Sequence, residues 1–333
     1  MLRTIFIKLL ELIFGKYLPC YVISHNPLII ITYWEDFLKC KEDFLKSLPE
    51  GKNVYVLCQL GWHYETEDRL QEVKAAADLL ASQRPALKFI YLCNSAIEET
   101  LFRKYGLNGI LCHQNAFLDE KQYKIIKGAK KIYDAIYIAR ITPFKRHLLA
   151  AKIKRLYLIG YCYDFESDYR KAIFKEIPQA LWKEQVYSFN IYKEINKAHV
   201  GLCLSAEEGA MFVSAEYLLC GIPLVSTRNK GGRDVMFTPD HVYIAEDTPE
   251  SVAQGVEEMT LRHLSPASIR NALISKMLNY REIFIKIVQT IYNAEQTGRK
   301  FRDEWPEVFI HKLGIRCRVS IWTKMRRGLK VKK

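Results

Sequence analysis

Short apolar runs alternate with longer helix-patterned segments along most of this chain, and that alternation leaves few folds open. After Pro19 the order is strand 28–32, helix 35–46, strand 54–57, helix 66–82, strand 87–93, helix 96–105 and strand 109–112. A β-α-β rhythm of this kind demands a parallel sheet with helices on both faces. Residues 119–131 then turn polar, with five lysines and Gly128, and read as a linker or hinge. A second series follows: strand 135–139, helix 145–153, strand 156–160, helix 167–175, strand 186–189, helix 191–197, strand 200–204, helix 210–219 and strands 224–226 and 242–244. Helices 250–259, 266–278 and 280–294 come after it. The expected class is α/β, in two successive doubly wound halves with a cleft between them, and no solenoid-type repeat is present.

Size agrees with two halves, since 333 residues exceed one ordinary core. The nine cysteines form no Cys-x-x-Cys pair, and Cys58, Cys93, Cys112 and Cys203 lie in or beside apolar runs. They read as reduced core residues of a cytoplasmic protein. The net charge of +13 is uneven: after Glu307 there is no acid, while nine Lys and Arg fall between Lys312 and Lys333, leaving about +4 on the rest. That tail reads either as a solvated end or as a segment for anionic lipid headgroups or nucleic acid. Residues 1–18 form an amphipathic helix pattern broken by Lys8 and Glu11, either an interfacial anchor or a helix packed on the core. No small-residue cleavage site follows it, and no stretch reaches the roughly 18 apolar residues of a membrane span.

Ligands of doubly wound sheets bind beyond the carboxyl ends of the strands. In the first half those ends carry Gln59, Gly61, Trp62 and His63, then His113, Gln114 and Asn115. His63 and His113 are the polar candidates there, with capping or core roles as the ordinary alternative. In the second half, 200–204 runs into the acidic turn Glu207-Glu208-Gly209 and then a helix containing Glu216. On a continuous helix Glu208 and Glu216 would stand roughly 80° apart in azimuth and about 12 Å apart along the axis, the reach of a sugar diphosphate. The first strand of this half ends in Arg140-Ile-Thr-Pro143-Phe-Lys145. Arg140 and Lys145, at a strand end feeding a helix, suit a diphosphate and can stabilise a departing one without metal.

The ordered set Arg140-(four residues)-Lys145, then Ile191 to Val200, Ser205-Ala-Glu-Glu208-Gly209, Glu216, Cys220-Gly221-Ile-Pro223 and Gly231-Gly232-Arg233-Asp234 resembles the retaining glycosyltransferases of family 4. The resemblance spans about residues 133–259. It implies the GT-B fold, two Rossmann-like domains facing across a cleft, and transfer from a nucleoside-diphosphate sugar with retention. It also assigns roles. Arg140 and Lys145 would grip the donor diphosphate, Glu208 would hold the transferred sugar, and Glu216 would take the ribose hydroxyls. Gly209, Ala210 and Met211 would present backbone amides. The loop Gly231-Gly232-Arg233-Asp234 reads, from its own residues, either as a ligand loop in which Arg233 contacts phosphate or acceptor, or as a turn whose Asp234 caps the next segment. Asp164-Phe-Glu166 is the nearest approach to the Asp-x-Asp metal motif of the other main glycosyltransferase fold, and the aspartates there are wrongly spaced for it, so no metal and no cofactor is expected.

The chain departs from that family in its short first half, which lacks the glycine-rich loop before the first helix. The expected division is therefore a helix at 1–18, an acceptor-side domain at 19–127, a donor-binding domain at 128–280, helices 281–310 packing back on the first domain, and a basic tail at 311–333. The expected partners are a nucleotide sugar and a glycan or lipid-linked acceptor, with anionic membrane at the termini and no nucleic acid. A nucleotide-sugar-binding or scaffolding protein without transferase activity is the rival reading.

Overall fold

The computed structural model describes residues 18–184 and 190–314. They divide into two compact units, the first formed by 18–118 with 280–314 and the second by Asp119–Asn279. Residues 1–17 of the expected N-terminal helix and most of the basic tail, from residue 315 on, lie outside the described residues. Among the described residues no helix is long and apolar enough to cross a membrane.

The first unit is built on a five-stranded sheet in the order β1-β2-β3-β4-β5. β1 (Tyr21–His25) pairs antiparallel with β2 (Leu28–Tyr33), and β2, β3 (Val54–Gln59), β4 (Leu87–Cys93) and β5 (Gly109–Leu111) are parallel. β2 and β3 are buried along nearly their whole length, as continuous apolar runs covered on both faces must be. Alternate residues go to opposite cores. Leu28, Ile30, Val54, Val56 and Cys58 pack with Phe37, Phe44, Leu70, Val73 and Phe102, from α1 (Trp34–Lys39), α2 (Lys41–Ser47), α3 (Glu67–Gln83) and α4 (Ala96–Lys104).

Ile29, Ile31, Tyr55 and Leu57 face the other way, onto Phe284, Val288, Ile291 and Tyr292, with Phe301 and Val308. Those residues come from the C-terminal end of the chain, so 281–310 completes the first unit's second core. Each fully buried Leu, Ile or Phe contributes about 1.5–3 kcal/mol. The start of the expected tail joins the same unit: Leu313 is fully buried, its carbonyl accepts from Gln59 Nε2 at 2.9 Å, and Lys312 N donates to Phe117 O at 2.7 Å.

The second unit carries a six-stranded, all-parallel sheet in the order β11-β10-β9-β6-β7-β8. Its strands are β6 (Tyr133–Ile138), β7 (Leu156–Ile159), β8 (Leu181–Lys183), β9 (Ala198–Cys203), β10 (Leu224–Thr227) and β11 (Val242–Ala245). Counted from β6 this is 3-2-1-4-5-6, the doubly wound order, and its direction reverses between β6 and β9. The loops after β6 and β9 therefore part at the switch point, where ligands of such sheets bind. The helices are α5 (Ser167–Glu176), α6 (Ile191–Ile195), α7 (Phe212–Leu219), α8 (Pro249–Leu261) and α9 (Pro266–Ala294), with α10 (Phe301–Val308) following in the first unit.

Several expectations change. The strand expected at 186–189 lies outside the described residues, and the edge strand among the described residues is Leu181–Lys183, which was not expected. β1 was not foreseen at all. The two helices expected at 266–278 and 280–294 are one continuous α9, because Asn279 and its neighbours present no break in the helical pattern. The helix expected at 145–153 is two short 3-10 turns, Pro143–Lys145 and His147–Ala150. Arg146 sits between them at φ 52°, a left-handed conformation that stops an α-helix.

The units divide at Leu118/Asp119 and Asn279/Tyr280, against expected boundaries at 127/128 and 280/281. Residues 119–131 belong to the second unit and are tied down by it. Tyr123 is buried, Arg270 donates to the carbonyls of Glu120 and Tyr123 at 2.6 Å each, and Ile126 N donates to Asn196 Oδ1 at 2.9 Å.

Candidate active site

The site is assembled at the switch point of the second sheet. β6 ends at Ile138 and the chain turns through Ala139 and Arg140. Ile141 N donates to Tyr161 O at 2.8 Å, which fastens this loop to the one after β7. Gly160 permits the approach, since a Cβ there would lie 1.9 Å from Ala139 O. The Arg140 guanidinium carbon stands 5.6 Å from the centre of the Phe144 ring and 5.4 Å from that of Tyr163. Its Nε is 3.5 Å from the buried Glu166 carboxylate and makes no hydrogen bond, leaving a buried donor unused.

Lys145 closes the first 3-10 turn, where its carbonyl accepts from the Tyr137 hydroxyl at 2.6 Å. Its ammonium is 4.9 Å from the Phe144 ring centre and pairs with the Glu208 carboxylate. Glu208 arrives from the loop after β9. Ser205 Oγ donates to its Oε1 at 2.7 Å, and its backbone N–H donates to Lys230 O at 3.0 Å. Both side chains of the pair are nearly buried, 12% and 9% exposed, so the two charges act on each other with little screening.

Glu208 lies in a turn ahead of the helix, as expected, so the spacing of a continuous helix does not apply to Glu208 and Glu216. α7 begins only at Phe212, and Met211 precedes it at φ 44°, a strained position for a side chain other than glycine. Gly209, Ala210 and Met211 thus form a bent, buried entry to α7 rather than its first turn. Glu216, within α7, is buried, and Tyr123 donates to its Oε1 at 2.9 Å. Burial and the Glu216 carboxylate push the Tyr123 phenol far above its ordinary range, so this hydroxyl remains a donor.

Arg233, expected at a phosphate or an acceptor, does something else. It is 0% exposed, and its guanidinium donates to Cys203 O at 3.2 Å, Ser205 O at 2.8 Å, Thr227 O at 2.5 Å and Asp234 Oδ1 at 2.8 Å. It ties the carboxyl ends of β9 and β10 together beneath Glu208 and is spent on backbone. Arg146 works beside it, donating to Leu204 O and Thr227 Oγ1 at 2.6 Å each. His147 is buried 5.0 Å from the Tyr137 ring, and burial, helped by Lys145, lowers it to about 3, so its ring is neutral.

The histidine candidates lie in the first unit, both buried. His113 Nδ1 accepts from Asn115 N at 3.2 Å, capping the turn Gln114–Phe117, and the His63 carbonyl accepts from Arg69 at 2.5 Å. A network of carboxylates holds the surrounding loops. Glu35 accepts from Gly61 N at 3.1 Å and from the Tyr64 hydroxyl at 2.8 Å, and Glu98 accepts from Tyr64 N at 2.9 Å and Asn94 N at 2.7 Å. Burial raises Glu98 to about 7 in spite of those bonds.

Lys145 and Glu208 are thus paired, Arg140 and Lys145 both lie against the Phe144 ring, Glu216 is held by Tyr123 in the same unit, Arg233 is bound inward, and His63 and His113 are buried in the first unit. Tyr123 and Arg146 are contributors that sequence reading missed, and it named Ser205 and Glu166 without these roles. Ser205, three residues before Glu208, was within its reach; Tyr123, in a lysine-rich stretch, gave no signal.

No protein-family model matches the chain, and no curated protein does. Solved structures do. Anabaena HepE, in complex with UDP and glucose, is 17% identical over 72% of each chain with a TM-score of 0.57. Sucrose-phosphate synthase from Thermosynechococcus elongatus is 16% identical over 84% of this chain and 74% of its own, with a TM-score of 0.56. A TarM variant from S. aureus, in complex with Fondaparinux, alpha-GlcNAc-glycerol and UDP, is 14% identical over 78% of this chain and 54% of its own, with a TM-score of 0.57. At these identities the likeness is one of fold: two Rossmann-like α/β units of the GT-B kind.

Proposed function

We propose that this chain is a glycosyltransferase that moves a sugar from a nucleoside-diphosphate sugar to a glycan or lipid-linked glycan, with retention and without a divalent metal. The observation that carries this reading is the Lys145–Glu208 pair at the switch point, with Arg140 on the same Phe144 ring as Lys145 and its Nε without a hydrogen bond. HepE and the TarM variant, of like fold, are in complex with UDP. Arg140 and Lys145 neutralise the donor diphosphate. Glu208 accepts hydrogen bonds from the transferred sugar, and Glu216, oriented by Tyr123, accepts from the ribose. Gly209, Ala210 and Met211 bring backbone to the sugar and phosphate.

The proposed reaction takes its stereochemistry from the family resemblance. The bond between the sugar's anomeric carbon and the diphosphate oxygen breaks, and the electron pair leaves with the diphosphate, where Arg140 and Lys145 stabilise it. The acceptor oxygen forms its bond on the same face, and its proton passes to the departing phosphate. No carboxylate nucleophile takes part.

The test is a panel of nucleotide sugars screened by thermal shift, followed by transfer assays with the one that binds. A ligand should raise Tm in the wild type and fail to do so in Glu216→Ala, while Lys145→Ala and Glu208→Ala abolish transfer with the fold intact. Binding without donor hydrolysis or transfer to any acceptor would leave a nucleotide-sugar-binding protein. Loss of transfer on chelation would overturn the metal-free mechanism.

A further inference from the structure

The loop after β7 carries three aromatic rings at alternate positions, and they are turned outward: Tyr161 is 52% exposed, Tyr163 46% and Phe165 82%. Large exposed apolar rings in one cluster mark a surface that something else covers. These rings are also ordered among themselves. Tyr161 and Tyr163 meet edge to face at 5.6 Å, and Tyr163 and Phe165 stack at 5.5 Å with 16° between their planes.

The loop is fixed to the candidate site rather than merely near it. Tyr161 O accepts from Ile141 N, the residue after Arg140. Glu166 N donates to Tyr163 O at 2.9 Å, and Tyr163 N donates to Glu166 Oε2 at 3.1 Å. The same Glu166 carboxylate lies beside Arg140 Nε, and the Arg140 guanidinium lies over the Tyr163 ring. A cation with an unused donor and a platform of rings are therefore held as one piece. The ligand that matches both is a single molecule with an anion and a flat ring a few bonds apart.

We infer that Tyr161 and Phe165 form the stacking surface for the base of the nucleoside diphosphate. The inference rests on the donor-site reading above and adds what that reading lacks, the contact to the base. Stacking accepts any base with a π face, so this surface contributes affinity and leaves the choice among bases to other contacts.

The experiment compares two probes by calorimetry: inorganic pyrophosphate, and the tightest binder among UDP, GDP and ADP. In Phe165→Ala and Tyr161→Ala the nucleotide should weaken about five- to a hundredfold, the range for loss of one base–aromatic stack. Pyrophosphate should bind as it does to the wild type, and Phe165→Trp should restore nucleotide affinity. Equal weakening of both probes would overturn the inference, because the loop would then only support Arg140. Unchanged nucleotide affinity would overturn it too, including the case in which only the KM for a saccharide acceptor rises. If Glu216→Ala weakens the nucleotide and neither ring variant does, the donor site stands and this inference alone falls. A wild type that binds none of the probes overturns both.

Discussion

Replacing Glu208 by Gln keeps the side chain's shape and its hydrogen bond from Ser205 while removing the charge that faces Lys145. In the ligand-free protein that carboxylate engages the Lys145 ammonium, with both side chains nearly buried. Two opposite charges about 4 Å apart attract by about 4 kcal/mol gross at an effective dielectric near 20. A diphosphate arriving at Lys145 must loosen that pairing and also meets Glu208 as a like charge. Desolvation already offsets much of the gross figure, so about 1–2 kcal/mol remains, a five- to thirtyfold change in affinity. Glu208→Gln should therefore bind UDP, and pyrophosphate with it, five- to thirtyfold more tightly by calorimetry. Transfer should fall by about a hundredfold or more, since the sugar loses an ionised acceptor that strengthens in the transition state. This opposite movement of binding and turnover is the diagnostic result. An unchanged or weaker diphosphate Kd would refute the competition between Glu208 and the diphosphate for Lys145. Transfer at the wild-type rate would refute the placement of Glu208 at the sugar.

Tyr123→Phe removes the hydrogen bond that orients Glu216, and should weaken nucleotide binding about three- to thirtyfold while leaving pyrophosphate unaffected, as read by calorimetry. Arg233→Met leaves several buried carbonyl groups without their donor and should cost about 3 kcal/mol or more in urea unfolding, with little change in Kd for the molecules that remain folded. Glu98, raised by burial from 4.5 to about 7, binds its proton more tightly in the folded protein, so its contribution to stability is complete below pH 4.5 and is lost as pH rises toward 7. Urea unfolding between pH 4.5 and 7.5 should show a decline of about 3 kcal/mol from this group, and Glu98→Gln should flatten it.

What could be read from the sequence follows a physical division. Strand order and the chemistry of the loop ends are local signals. An apolar run, a turn and a helix announce β9, the Glu208 loop and α7, and a parallel doubly wound order then places the loops after β6 and β9 at the switch point. Arg140, Lys145 and Glu208 could be gathered that way, although Lys145 and Glu208 are far apart in sequence. The misreadings have the opposite origin. Residues 145–153 carry a helical pattern, but Arg146 is drawn to Leu204, Thr227 and Asp247, and three bonds from distant strands outweigh local propensity. Arg233 looked like a ligand group because it follows two glycines. Only the converging carbonyls of β9 and β10, invisible in a linear pattern, give it an internal partner for every donor used.

Tyr123 is the sharpest case, because its surroundings in sequence argue for a linker. The pull of Arg270 on the carbonyls of Glu120 and Tyr123 makes 119–131 part of the second unit, and only then does the phenol reach Glu216. The residue that orients the candidate ribose contact is therefore supplied by a segment fastened from α9, the helix that continues into the first unit's core. Weakening Arg270 should then act on the site through Tyr123: Arg270→Ala and Tyr123→Phe should lower nucleotide affinity by similar factors, and the double variant should lose little more than either alone.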